Sequence, residues 1–302
     1  MIETCPYPAP TERNITSMPA LLYFVWEREA IRLARENKDY TGELTQDYIL
    51  RKYKFTNIRR KDDRVSKWII DNVIEKGYRQ DLWFVLLICR LVNWPPTLQH
   101  LIDEDVLFQV AGDFDPIRFS EVIEGFKEEG KKVYSGAYMV YPTKKEAGSV
   151  KSLSLGKYII EPVLERADEI DHAQQYGIAK FVGEMAKCFG ISTFIAGQVA
   201  ADLTYGQATM SKAVDLYTFA PIGPGSSKGL NYLLSRSPYA SWKQDDFNAN
   251  LITIRNSIVE ELEIEDMTLH DVQNVMCEYS KYARTVLGEG QPKSMYRPQE
   301  GF

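Results

Sequence analysis

The sequence predicts a mainly α-helical protein, because apolar residues recur at three- and four-residue spacing through most of the chain and only one short stretch has strand composition. Ala20 to Asn37 sets Leu22, Phe24, Val25, Ile31 and Ala34 between charges, and Arg64 to Lys76 places Val65, Trp68, Ile69 and Val73 on one face. Leu82 to Val92 reads as a largely buried helix that Pro95-Pro96 then stops. Thr97 to Asp105, with Thr97 as its cap, and Pro116 to Glu129, ended by Gly130, follow. Lys132 to Tyr141 fits a strand by composition, and equally an irregular or short helical connection ahead of Pro142. Ile159 to Leu164, Ala173 to Phe189, Ser192 to Leu203, Gly229 to Leu234, Asp246 to Leu262 and Thr268 to Tyr282 complete the helical set. The expected organisation is an N-terminal helical extension over 1–50, a helical core of one or two lobes over 51–287, and a loop-like tail over 288–302.

At 302 residues, with 44% hydrophobic and 26% charged residues, the chain has ordinary globular composition and enough length for a sizeable core. No apolar run reaches the ~18 residues of a membrane span, and Met1-Ile2-Glu3-Thr4-Cys5-Pro6 lacks a basic-then-apolar leader pattern. The expectation is a cytoplasmic protein with no membrane partner. Cys5, Cys89, Cys188 and Cys277 are far apart and form no Cys-x-x-Cys pair, and His100, His172 and His270 are scattered, so neither a metal centre nor a disulfide framework is expected. The net charge of -6 argues against a generally basic nucleic-acid binder. The charge is uneven, however. Arg51, Lys52, Lys54, Arg59, Arg60, Lys61, Arg64 and Lys67 face only Asp62 and Asp63 in their stretch, and Lys131, Lys132, Lys144, Lys145 and Lys151 form a second basic region. A local phosphate-binding face and an ordinary solvated surface both fit such runs.

One stretch carries more chemistry than the rest. Gly190-Ile191-Ser192-Thr193 is a small turn that feeds the apolar helix Phe194 to Leu203. Such a turn leaves backbone N–H groups free and lets a phosphate approach closely, which makes Gly190, Ser192 and Thr193 DNA-contact candidates. A lone acid, Asp215, and then Gly223-Pro224-Gly225 follow. The arrangement resembles helix-hairpin-helix DNA glycosylases, in which a catalytic aspartate stands one short segment beyond the hairpin. The match is partial, since Ser192 occupies a position where glycosylases usually carry a second glycine. The alternative is an ordinary helical hairpin.

Four blocks extend the likeness from about Tyr53 to Arg297: Phe55 to Ile69, Tyr134-Ser135-Gly136-Ala137-Tyr138-Met139, the turn block through Asp215 to Leu230, and Met276 to Tyr282. In this order they resemble the glycosylase-like helical proteins of bacteriophage thymine hypermodification. That group includes the helical domain linked to 5-hydroxymethyluridine DNA kinases and the α-glutamyl/putrescinyl-thymine pyrophosphorylases, or amino acid:DNA transferases. The resemblance implies a helix-hairpin-helix, DNA-glycosylase-like fold and a base-flipping transferase. Its substrate would be double-stranded phage DNA whose 5-hydroxymethyluracil carries a pyrophosphate, displaced by an amino acid or polyamine. Gly223 to Gly229 has the glycines and lysine of a phosphate loop without the Gly-x-x-x-x-Gly-Lys-Ser/Thr order, so the chain does not look like the activating kinase.

That chemistry needs an acceptor for the amine proton, cations at the leaving oxygens and aromatic surfaces for an everted base. Asp215 is the first choice of acid, by its place in the resemblance; the alternative is that it caps a helix beginning near Leu216. Asn57, Arg60 and Asp63 are further catalytic candidates, Asn57 to read a base edge and Asp63 to orient an arginine; a simple Arg60–Asp63 salt bridge is the alternative. Arg59, Arg64, Gly223, Gly225, Ser226, Lys228 and Lys281 are assigned to DNA or pyrophosphate, and Tyr134 and Tyr138 to stacking, although tyrosines of a helical protein usually pack in cores. Glu278 and Lys281 equally suit a plain ion pair. No cofactor is expected beyond Mg²⁺ accompanying pyrophosphate. Two other functions remain open: a DNA glycosylase, and a non-catalytic DNA-binding module partnering a 5-hydroxymethyluridine DNA kinase.

Overall fold

Side-chain caps and prolines determine where the helices begin. The computed structural model describes residues 5–37, 44–77, 81–108, 111–135 and 150–297. Ser17 caps α1 (Met18–Glu36) and Asp47 caps α2 (Tyr48–Lys52), each side chain accepting from amides of the first turn. α3 (Arg64–Ile69) continues into a wider turn at Ile70–Ile74. α4 (Leu82–Val92) has the predicted bounds and ends at Asn93, whose φ of 48° is left-handed. α5 (Pro95–Asp103) and α6 (Pro116–Glu128) both carry proline at their first position, where no N–H is needed. The short pieces α7 (Lys151–Leu155), α8 (Glu161–Val163) and α9 (Ala167–Ala173) precede α10 (Ile178–Met185) and α11 (Thr193–Asp202). α12 (Pro224–Leu233), α13 (Gln244–Leu262) and α14 (Leu269–Val286) complete the order. Among the described residues there is no β-strand, only an isolated bridge between Tyr53 and Met295.

Three expectations need correcting. Pro95-Pro96 does not merely stop α4; it opens α5, so Thr97 lies inside that helix, where its hydroxyl donates to the Val133 carbonyl at 2.9 Å. The single helix expected over Ala173 to Phe189 is broken by Gly177, whose φ of +100° a helix cannot contain. The helix expected from Gly229 begins at Pro224. Of the 132–141 stretch, 136–141 lies outside the described residues. The tail is non-helical and held in place, with Lys54 N donating to Ser294 O and Tyr296 N to Lys52 O.

The chain divides into two compact units, Met1–Asp63 with Tyr217–Phe302, and Arg64–Leu216. In the first, α1, α13 and α14 enclose a core in which Phe24, Phe55, Tyr279 and Tyr282 meet edge to face or tilted. α12 lies close against α14 because Gly225 and Gly229, four apart, share one face of it. A Cβ on Gly229 would stand 1.9 Å from the Met276 carbonyl oxygen, and one on Gly225 would stand 2.3 Å from Cys277 Sγ. In the second unit every residue of α4 is buried, Arg90 included. Its guanidinium is compensated by the Asp202 carboxylate of α11, with Nε to Oδ2 at 2.6 Å, and by Ser66 Oγ at 2.8 Å. Breaking such a pair costs several kcal/mol (~3–5), because it strands a buried charge.

The helix contact gives a first prediction. Gly229→Ala, a change that raises helix propensity, should lower the urea midpoint, since overpacking against backbone costs ~1–3 kcal/mol. An unchanged or raised midpoint would contradict the close α12–α14 contact.

Candidate functional site

α14 carries a polar stripe on an otherwise apolar helix. Asp271, Asn274, Glu278 and Lys281 recur at three- and four-residue spacing and so share one side. Against it, in the same unit, lies the 55–63 segment, whose backbone has no sheet partner and must find bonds elsewhere. The stripe supplies them. Thr56 N donates to Glu278 Oε2 at 3.1 Å, Asn274 Nδ2 donates to the Asn57 carbonyl at 2.9 Å, and Arg60 N donates to Asp271 Oδ1 at 2.7 Å. From α1, buried Arg28 donates to the carbonyls of Phe55 at 3.1 Å and Thr56 at 3.2 Å. Burial pushes the Arg28 guanidinium below its ordinary range, and the charges of Glu278 and Asp63 pull the other way.

Asn57, Arg60 and Asp63 are thereby brought together, as the sequence suggested. Asn57 N donates to Asp63 Oδ1 at 2.8 Å, and Asn57 Nδ2 to the Asp62 carbonyl at 2.7 Å. Arg60 is 5% exposed, with Nη1 donating to Asn274 Oδ1 at 3.4 Å. Desolvation raises the Asp63 carboxyl to about 6, against the Arg60 charge and the Asn57 N–H that draw it down. Lys281 pairs with Glu278, and although burial opposes its charge, that carboxylate holds it above its usual value. The cluster thus sets a carboxyl that titrates near neutrality beside two arginines, the amide of Asn57 and the Glu278–Lys281 pair. Such a set can accept a proton and stabilise an anion.

The remaining candidates are placed as follows. Arg59 is engaged by three acids, Glu29 at 2.6 Å, Asp62 at 3.0 Å and Asp266 at 3.0 Å, and Lys61 also pairs with Asp266, so much of the basic run is neutralised within the unit. Arg64 opens α3 and is exposed. Gly223 begins α12, and the buried Ser226 hydroxyl bonds back to it; Gly225 serves the contact with α14. The Lys228 ammonium lies 4.9 Å from the ring centroid of Tyr239. Tyr134 lies under the Lys151 ammonium at 4.0 Å; Tyr138 lies outside the described residues.

Asp215 belongs to the 64–216 unit. It caps a helix, but not one at Leu216: its two oxygens accept from Ile178 N at 2.7 Å and Ala179 N at 2.8 Å, closing the start of α10. Gly177 makes the approach possible, because a Cβ there would stand 2.6 Å from Asp215 Oδ1. α10 and α11 form the expected hairpin. Gly190 turns it with φ +76°, Ser192 Oγ accepts from Ile195 N, and exposed Thr193 starts α11. Beside it Arg166, Lys180 and Lys187 all bond to Glu184, three cations on one acid.

Sequence reasoning missed Arg28, Asp271 and Asn274. The legible signal was the polar spacing 271, 274, 278 and 281 interrupting the apolar face of α14. Among the described residues no group of three or more His, Cys, Asp or Glu is placed to hold a metal ion, and no helix is long and apolar enough to cross a membrane.

The arrangement sits within a recognisable class. Residues 16–291 match the family described as the helical domain of 5-hmdU DNA kinases, and the chain belongs to that family. A 5-hmdU DNA kinase of Bacillus phage SP10 is 23% identical over 86% of this chain, which spans 44% of that relative's length. No solved structure matches. The family fits a setting of phage thymine modification.

Asp63 yields a pH prediction. The folded carboxyl keeps its proton up to about 6, whereas an unfolded aspartate ionises near ~3.9, so the native state binds more protons across that window and stability falls as pH rises through it. Urea unfolding between about pH 4 and about pH 7 should show wild type losing stability relative to Asp63→Asn as pH rises. Parallel curves would contradict the raised value.

Proposed function

We propose that the chain acts on phage DNA bearing 5-pyrophosphoryloxymethyl-deoxyuridine and replaces the pyrophosphate with an amino acid or amine. The observation that carries this reading is the Asn57–Arg60–Asp63 cluster on α14, in a chain of the 5-hmdU DNA kinase helical-domain family. The amine nitrogen attacks the methylene carbon, the carbon–oxygen bond to pyrophosphate breaks, and the leaving group takes the electron pair. The proton shed by the new ammonium passes to Asp63, which is ionised above about 6. Arg60 and Lys281 face the negative charge of the leaving group, with Mg²⁺ arriving as its counter-ion. Asn57 reads the edge of an everted uracil. Asp215, both of whose oxygens are engaged at α10, keeps that capping role, and Asp63 takes the base role in its place. The hairpin at Gly190, Ser192 and Thr193, with its cationic flank, supplies a phosphate contact of the helix-hairpin-helix kind.

One specific observation favours a second reading. Because this chain corresponds to 44% of a kinase, it can instead be the DNA-recognition part of a modifying enzyme whose chemistry is elsewhere. Incubation with DNA carrying the pyrophosphorylated base and candidate amines, followed by nucleoside mass analysis, separates them. The transferase reading expects an amine-substituted nucleoside. Asp63→Asn should slow its formation by about 10²–10⁴-fold, the usual worth of a positioned base, and Asp215→Asn should retain it. Unchanged nucleoside with intact DNA binding supports the recognition module, and release of free base supports a glycosylase.

A further inference from the structure

A second surface of the Met1–Asp63 with Tyr217–Phe302 unit is built for a ligand and is used by none of the groups above. The loop between α12 and α13 is fixed from beneath by Asn231, a fully buried side chain. Its Nδ2 donates to the carbonyls of Ala240 at 2.8 Å and Pro238 at 3.3 Å, and its Oδ1 accepts from Trp242 Nε1 at 2.9 Å. The loop closes on itself through Ala240 N to Ser237 O at 2.9 Å and Arg236 N to Asn231 O at 2.8 Å. So pinned, it holds the Tyr239 ring 83% exposed, a large apolar surface kept in water by a rigid support. Cations surround it: Lys228 lies 4.9 Å from the Tyr239 centroid, Arg236 stacks 3.9 Å over Trp242, and Lys243 is exposed. Among the described residues none of these three is in an ion pair with a carboxylate.

We propose that this loop binds a single nucleic-acid strand, with an unstacked base lying on Tyr239 and the backbone phosphates beside Lys228 and Arg236. An exposed, pre-positioned ring is a sequence-tolerant platform for any base, and cations spaced around it match a phosphate backbone. Asp245 and Asp246 open α13 just beyond Lys243, so the attraction is assigned to Lys228 and Arg236. Choosing nucleic acid as the occupant rests on the reading that the chain works on DNA. The role is separate from the 55–63 cluster: it holds a strand and performs no chemistry.

The test is fluorescence anisotropy of the 302-residue chain with a labelled oligothymidylate across a salt series. Tyr239→Ala should weaken binding by about fivefold or more while Tyr239→Phe keeps it within about twofold, since stacking needs the ring and not the hydroxyl. The Lys228→Gln/Arg236→Gln double variant should flatten the slope of log K against log salt by about two. Thermal midpoints should not move for the exposed Tyr239 variants, which separates lost binding from lost folding. Tyr239→Ala binding as tightly as wild type, or an unchanged salt slope in the double variant, overturns the proposal, as it would if the surface serves a protein partner. In the nucleoside assay Tyr239→Ala should raise KM for DNA and leave kcat alone. If no amine adduct ever forms yet Tyr239→Ala still weakens the oligomer, the transferase reading fails and this surface stands.

Discussion

The unit that holds the cluster depends on the obligation to satisfy a stretch of backbone that belongs to neither helix nor sheet. Residues 55–63 meet it with side chains rather than main chain. Asp271, Asn274 and Glu278 take their bonds from one side and Arg28 from the other. Each of these bonds contributes only ~0.5–1.5 kcal/mol net, but leaving a buried donor or acceptor unpaired costs ~1–3 kcal/mol, so the set holds the segment in a single conformation. A segment held in this way can present Asn57, Arg60 and Asp63 in fixed relation. Fixed geometry is what proton transfer and charge stabilisation require.

Elsewhere the structure uses the same economy of close approach. Gly225 and Gly229 let α12 lie on α14, which steadies the helix that bears the polar stripe. In the 64–216 unit, Gly177 lets Asp215 reach two amides at the head of α10, and the Arg90–Asp202 pair joins α4 to α11 inside an otherwise apolar core. The glycines of the 223–229 block, which resemble a phosphate loop in composition, are therefore accounted for by packing.

Local chemistry was legible in the sequence, and tertiary partnership was not. The bounds of α4 and the start of α11 after Ser192 could be read because an apolar run and a capping hydroxyl act within a few residues. Gly177 was hidden because a glycine inside a periodic pattern does not announce a positive φ. Pro95-Pro96 was read as an end when it was also a beginning, since proline suits the first turn of a helix as well as the residues after one. At the site, Asn57, Arg60 and Asp63 could be named from charge and spacing. Arg28 and Asp271 could not, because what they touch lies 27 and 211 residues away. Arg59 was misjudged as a free DNA contact for the same reason: Glu29 and Asp266, which neutralise it, are remote in sequence.

The most direct measurement is a crystal structure of the chain with a DNA oligomer carrying the pyrophosphorylated hydroxymethyluracil. The account predicts an everted base whose methylene carbon faces the Asp63 carboxyl, with diphosphate oxygens on Arg60 and Lys281. A modified base left in the stack, or seated away from residues 55–63, would contradict it.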